Sequence, residues 1–142
     1  MAKQINIFVD NKPGKLKKIA EILADNEVNI KAMTIQDRKE FGMIKLLVDK
    51  PEKAHLLLQD KGFASALKEI IAIYIDDKPG GLLRLATAFE KHQINIVDAY
   101  SYTTDSKNVA IWCSEVVDID KAKALLAEEG YAMISEDDLA DL

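Results

Sequence analysis

The chain contains one segment twice. Asp10-Asn11-Lys12-Pro13-Gly14-Lys15-Leu16 returns 66 positions later as Asp76-Asp77-Lys78-Pro79-Gly80-Gly81-Leu82, and Val28-Asn29-Ile30 returns at the same offset as Ile94-Asn95-Ile96. Repetition at a fixed spacing marks each copy as one supersecondary unit. The 142 residues therefore divide near Leu67-Lys68, into units 1–67 and 68–142. A unit of that size buries only a limited core on its own, so the halves are expected to pack together and to pair with a second chain as a homodimer. No Gly-, Ser- or Pro-rich linker separates them, which predicts a restrained relative orientation.

Within each unit the hydrophobic period alternates between that of a strand and that of a helix. Gln4–Val9 alternates as a strand, and Pro13 is expected in the first turn of a helix, where its missing N–H costs nothing. Leu16, Ile19, Ala20 and Leu23 then form a helical stripe. Val28–Gln36 and Phe41–Val48 predict a hairpin around the polar turn Asp37–Glu40. Pro51 opens a second helix that ends at Lys61-Gly62, and Phe63–Leu67 is a short strand. The second half repeats this order. Glu69–Ile75 is a strand, Leu82, Leu85, Ala86 and Phe89 form the stripe, and Ile94–Thr103 pairs with Val109–Val116. A helix near Ile119–Glu129 ends at Gly130, Tyr131–Ser135 is a last strand, and Ser135-Glu136-Asp137-Asp138 caps a final helical turn. The predicted fold is α+β: two βαββαβ units, each a four-stranded antiparallel sheet with its helices on one face.

Charge and composition exclude several functions. A net charge of −5 is unsuited to a nucleic-acid surface. No apolar run is long enough to span a bilayer, and the N-terminus lacks the apolar region of a signal peptide, so no membrane partner and a cytoplasmic location are expected. Cys113 is the single cysteine, which rules out an intramolecular disulfide and a thiolate metal cluster. No cofactor and no metal site are expected.

The duplicated loop carries chemistry suited to a small zwitterion. It joins a strand to a helix N-terminus, where unpaired N–H groups and partial positive charge favour a carboxylate. Gly14, Gly80 and Gly81 let a ligand approach the backbone closely. Asp10 and Asp76 offer a carboxylate to an ammonium group, and Asn29 and Asn95 offer both a donor and an acceptor. The same residue types also serve ordinary turn and helix-start chemistry, and Lys15 either helps hold an anion or, as the preferred reading, is solvated. The candidate ligand-binding residues are Asp10, Asn11, Lys12, Pro13, Gly14, Asn29 and Ile30 in the first copy. In the second they are Asp76, Asp77, Lys78, Pro79, Gly80, Gly81, Leu82, Asn95 and Ile96.

The order Asp-x-Pro-Gly-x-Leu, then Asn-Ile at the next strand, on a βαββαβ pattern, resembles the ACT domain. The resemblance covers nearly the whole chain. It is similar in particular to small stand-alone tandem ACT proteins through Asn11-Lys12-Pro13-Gly14, Phe41-Gly42, Val48–Ala54 and Asp76–Leu82. It implies ferredoxin-like units that bind a free amino acid or similar metabolite where two units meet, without catalysis. It also implies a partner enzyme or regulator that responds.

Other readings compete. A structural adaptor would use the sheets for oligomerisation and bind no metabolite. An enzyme would need a nucleophile–base pair, a phosphate-binding glycine fingerprint or metal-ligand spacing, none of which is present. His55 and His92 read as surface residues without a partner acid, Cys113 as an inert buried thiol, and Trp112 as a core residue aligned with Ile44. Asp98, Tyr100 and Tyr102 share one strand face, which lines either an interface or the ligand cleft.

Overall fold

The computed structural model describes every residue except Asn11, Arg38 and Glu40. The duplicated loop position Asn11 and part of the predicted turn Asp37–Glu40 thus lie outside the described residues. Contacts divide the chain into two units, one of Lys3–Lys68 with Asp141 and one of Glu69–Ala140 with Met1–Ala2 and Leu142.

The first unit runs β1 (Lys3–Val9), α1 (Lys15–Asp25), β2 (Ile30–Asp37), β3 (Gly42–Val48), α2 (Pro51–Asp60) and β4 (Ala64–Glu69). Its sheet has the order β2-β3-β1-β4. Antiparallel pairing sets Ile7 opposite Ile44 and Ile35 opposite Ile44 from the other side. Alternation sends Ile5, Ile7, Ile44 and Leu46 to the face covered by α1 and α2, where they meet Ile19, Leu23, Ala54 and Leu58, all fully buried. Each such side chain larger than alanine contributes about 1.5–3 kcal/mol by leaving water.

The second unit runs β5 (Ile71–Asp76), α3 (Gly81–Lys91), β6 (Ile96–Thr103), β7 (Val109–Val116), α4 (Ile119–Glu128) and α5 (Glu136–Asp141). Its core joins Ile71, Ile73, Leu85, Phe89, Val116, Ala122, Leu126 and Tyr131. Ile73 pairs with Trp112 as Ile7 pairs with Ile44, so Trp112 does hold the position of Ile44.

Three local expectations are corrected. The second sheet has three strands, β5-β7-β6, and the predicted strand Tyr131–Ser135 is reduced to a single bridge between Ile73 and Met133. The Ile134 N–H donates to the Ala72 carbonyl at 2.8 Å, and then Ser135 caps α5 by accepting from the Asp138 N–H at 3.1 Å. The cap turns the chain away before a ladder can extend. The helical stripes hold at Leu16, Ile19, Leu23, Leu85 and Phe89 but differ at their edges. Ile19, Ile22 and Leu23, and likewise Leu85, Ala88 and Phe89, face inward, whereas Leu82 and Ala86 are exposed. Finally, Pro13 precedes α1 instead of lying in its first turn. The N-cap is Gly14 at φ 95°, and Gly80 caps α3 at φ 90°. That left-handed backbone is strained for any residue with a Cβ. Pro51 does occupy the first turn of α2.

Candidate functional site

Each duplicated loop leaves its strand, turns and starts a helix. In the first, the Lys12 N–H donates to the Asp10 carbonyl at 2.8 Å and the Lys15 N–H to the Lys12 carbonyl at 3.1 Å. Asp10, Lys12, Pro13 and Gly14 are exposed. The Lys12 ammonium stands 3.5 Å from the Asp10 carboxylate, an exposed pair of small energetic weight. In the second loop the Asp77 N–H donates to the Asn108 carbonyl at 2.8 Å and the Gly81 N–H to the Lys78 carbonyl at 3.0 Å. Asp76, Asp77, Lys78, Pro79 and Gly80 are exposed, and Gly81 is buried.

Neither helix start is capped by a side chain, and neither has an acidic residue in its first turn. The partial positive charge of both N-termini is therefore left uncompensated by their own sequence. Beside the second loop lies a hollow of about 180 Å³, lined by Asp76, Asp77, Lys78, Leu82, Ser101 and Trp112, with Ile75 and Ala110. The Trp112 Nε1–H is buried without a hydrogen-bond partner among the described residues. An unmet buried donor costs about 1–3 kcal/mol. Sequence reading missed Ser101 and assigned Trp112 to the core; Trp112 joins the loop through the pairing of β7 with β5, and Ser101 through that of β6 with β7.

The Asn-Ile positions lie elsewhere. Asn29 is exposed, and its backbone N–H donates to the Asp49 carboxylate at 2.9 Å. Ile30 packs against the core, but its counterpart Ile96 is 40% exposed. Asn95 lines a separate hollow of about 150 Å³ with Asp118 and Lys121. The reason is topological. The loop precedes α3 and Asn95 follows it, and an 11-residue helix is about 16 Å long. A small ligand held by the Asp76 loop cannot reach Asn95 of the same unit.

The histidines are better partnered than expected. His55 Nδ1 lies 2.8 Å from Ser65 Oγ. His92 Nε2 lies 2.9 Å from Glu129 Oε1, and Lys91 Nζ is 3.1 Å from the same oxygen. Hydrogen bonds from His92 and then Lys91 hold the Glu129 carboxyl below its usual range. Their partners stand 10 and 37 residues away in sequence, too far for a spacing rule to find. Tyr100 and Tyr102 pair with Cys113 and Ile111, and Asp98 with Glu115, so all three do share one face. Burial pushes the Cys113 thiol up to about 12 and raises both tyrosine hydroxyls. Among the described residues no group of three or more His, Cys, Asp or Glu is placed to hold a metal, and no helix is long and apolar enough to cross a membrane.

Comparison with known proteins identifies the fold. A sequence family described as an ACT domain pair matches residues 1–142. The crystal structure of a protein from Bacteroides thetaiotaomicron superposes with a TM-score of 0.92 at 30% identity, covering 99% of this chain and 96% of that one. The ligand-free regulatory subunit of aspartate kinase from Thermus thermophilus superposes with a TM-score of 0.67 at 17% identity, covering 89% of each chain. Aspartate kinase from Synechocystis gives 0.61 at 18% identity, covering 99% of this chain and 26% of that one. The regulatory subunit, and about a quarter of the Synechocystis chain, share the fold. No curated protein matches the chain.

Proposed function

The chain belongs to the ACT domain pair family, and we propose that it is a regulatory protein without catalysis of its own that binds a free amino acid. The ligand is held between the Asp-x-Pro-Gly loop of one unit and the Asn-Ile strand start of a neighbouring one. The observation that carries this reading is the division of the second-copy residues. Asp76 and Lys78 line one hollow and Asn95 another, at opposite ends of α3. A ligand that uses both sets must bridge two units.

The chemistry of the loop supports the ligand class. The uncapped start of α3 favours a carboxylate, the Asp76 carboxylate accepts from an ammonium, and Leu82, 56% exposed, offers an apolar side chain. The first copy supplies Asp10, Lys12, Pro13, Gly14, Asn29 and Ile30 in the same roles. In the second, Asp77, Pro79, Gly80, Gly81 and Ile96 shape the loop and the strand start.

The neighbour in this proposal includes a second copy of the chain, in a cytoplasmic homodimer. Met33 and Ile35 on edge strand β2, and Ile96 and Val97 on edge strand β6, are each at least 40% exposed, as suits strands that meet a partner. Ligand would shift the assembly between states by its difference in affinity for them, and the shift would pass to a partner enzyme or regulator. The test is amino-acid binding to the intact chain and to Asp76→Ala/Asn95→Ala. Binding that the double substitution leaves unchanged would refute the site.

A further inference from the structure

The two units follow one plan, yet at one place their charges are inverted. In the second unit Arg84 lies over the Tyr131 ring, 4.6 Å from its centroid, and its Nη2 donates to the Glu129 carbonyl at 2.9 Å. The Glu129 carboxylate is in turn met by Lys91 and His92. That corner therefore holds a carboxylate among its cations.

The first unit repeats the arrangement with different residues. Helix α2 ends in Lys61-Gly62-Phe63 as α4 ends in Glu129-Gly130-Tyr131, and Lys18 stands where Arg84 stands. Lys18 Nζ lies 5.8 Å from the Phe63 ring centroid, repeating the cation–ring pair. Glu129, however, has become Lys61, and Gly81 has become Lys15. A hollow of about 260 Å³ opens among these three lysines, with Phe8 and Phe63 in its walls. Asp10 also lines it, and its carboxylate already faces Lys12.

Three ammonium groups around one hollow repel each other, and neither Lys15 nor Lys61 has an ion-pair partner among the described residues. The uncapped start of α1 adds positive charge at the same end of the unit. Such a concentration within a chain of net charge −5 suits a compact polyanion. The rings add a surface for a flat apolar group: Phe8 is 48% exposed and Phe63 half-buried.

We propose that this hollow binds a mononucleotide, its phosphates on Lys15, Lys18 and Lys61 and its base against Phe8 and Phe63. The site exists in the first unit only, because in the second two of its three lysines are replaced by Gly81 and Glu129. It shares Asp10 and the start of α1 with the amino-acid site proposed above, but its three lysines and two rings lie outside that site, so variants in them test it separately.

The experiment is calorimetric titration of the full chain with ADP at low and moderate salt, beside inorganic pyrophosphate. Lys61→Glu installs the residue the second unit carries at that place, and Lys15→Gln keeps a good helix former. Thermal melts of both variants verify folding. Binding that weakens about tenfold in each variant and falls with added salt supports the site. So does Phe63→Leu weakening ADP but not pyrophosphate. Asp76→Ala/Asn95→Ala is expected to leave ADP binding intact. No heat with millimolar ADP at low salt overturns the proposal. So does an ADP affinity unchanged in Lys61→Glu and Lys15→Gln, or pyrophosphate bound as tightly as ADP.

Discussion

A Cβ atom placed on Gly81 would collide with the backbone carbonyl of Asp76. The last residue of β5 and the first of α3 are pressed together, and only a hydrogen fits between them. At the corresponding place the first unit holds Lys15, so its loop turns more openly although the surrounding Lys-Pro-Gly is the same. Gly14 and Gly80 have open space around them and are required only for their positive φ.

Gly81→Ala is therefore expected to destabilise the second unit by about 1–3 kcal/mol, since the obstacle is backbone that cannot rotate away. Lys15→Ala, at a partly exposed site, is expected to change stability by no more than about 0.5 kcal/mol. Thermal melts of the two variants check the contrast.

The C-terminal turn rests on one hydroxyl. Ser135 Oγ accepts from the Asp138 N–H at 3.1 Å, and α5 buries Leu139. Ser135→Ala is expected to cost about 1 kcal/mol. Amide exchange should accelerate over Glu136–Asp141 first, while the core of β5 and β7 stays protected.

Cys113 is expected to resist thiol reagents at neutral pH in the native protein and to react fully once the chain is unfolded. Burial raises its thiol from the ordinary 9.0 to about 12, so the folded state favours the neutral form. The stability this represents is complete below the unfolded thiol's pKa and is lost as pH climbs from 9.0 towards about 12. Tyr100 and Tyr102, also raised by burial, act in the same direction. Melting temperature should fall across that alkaline range, and less steeply in Cys113→Ala.

Glu129 gives the opposite sign. His92 and Lys91 depress its pKa, so its stabilising effect is present above the ordinary carboxylate range and is lost as pH falls through the depressed value. Glu129→Gln should melt earlier than the parent at neutral pH, and the gap should close in acid. Melting curves across that range check it.

The repeat made the fold legible because it is written in residues with narrow backbone requirements. Gly14, Gly80, Gly62 and Gly130 all take positive φ, and each ends or starts a helix where the pattern placed one. What the sequence concealed depended on tertiary placement. The inward faces of α1 and α3 keep Ile19, Leu23, Leu85 and Phe89 but take in Ile22 and Ala88, while Ala86 is exposed, because the packing against the sheet decides which edge of the stripe is covered. The last strand of the second unit reads well by alternation, but Ser135 ends it early.

Site residues divided in the same way. The loops were visible as local motifs. Trp112 reaches the second loop only across the β5–β7 pairing and Ser101 only across the β6–β7 pairing, and Lys61 reaches Lys15 and Lys18 only through the packing of α2 on α1. Nothing in local spacing announces either group. The aligned ends of α2 and α4, Lys61-Gly62-Phe63 against Glu129-Gly130-Tyr131, were the available signal.

We propose that the duplicated loops serve a free amino acid. The most direct test is a thermal-shift series of the intact protein against the twenty amino acids, run beside Asp76→Ala/Asn95→Ala. A ligand that binds only the folded state at a hundred times its Kd stabilises by about 2.7 kcal/mol, a rise of several degrees. Such a rise is expected for one chemical group of amino acids, and it is expected to disappear in the double variant. No rise with any amino acid at millimolar concentration, or a rise that survives in the double variant, would contradict it.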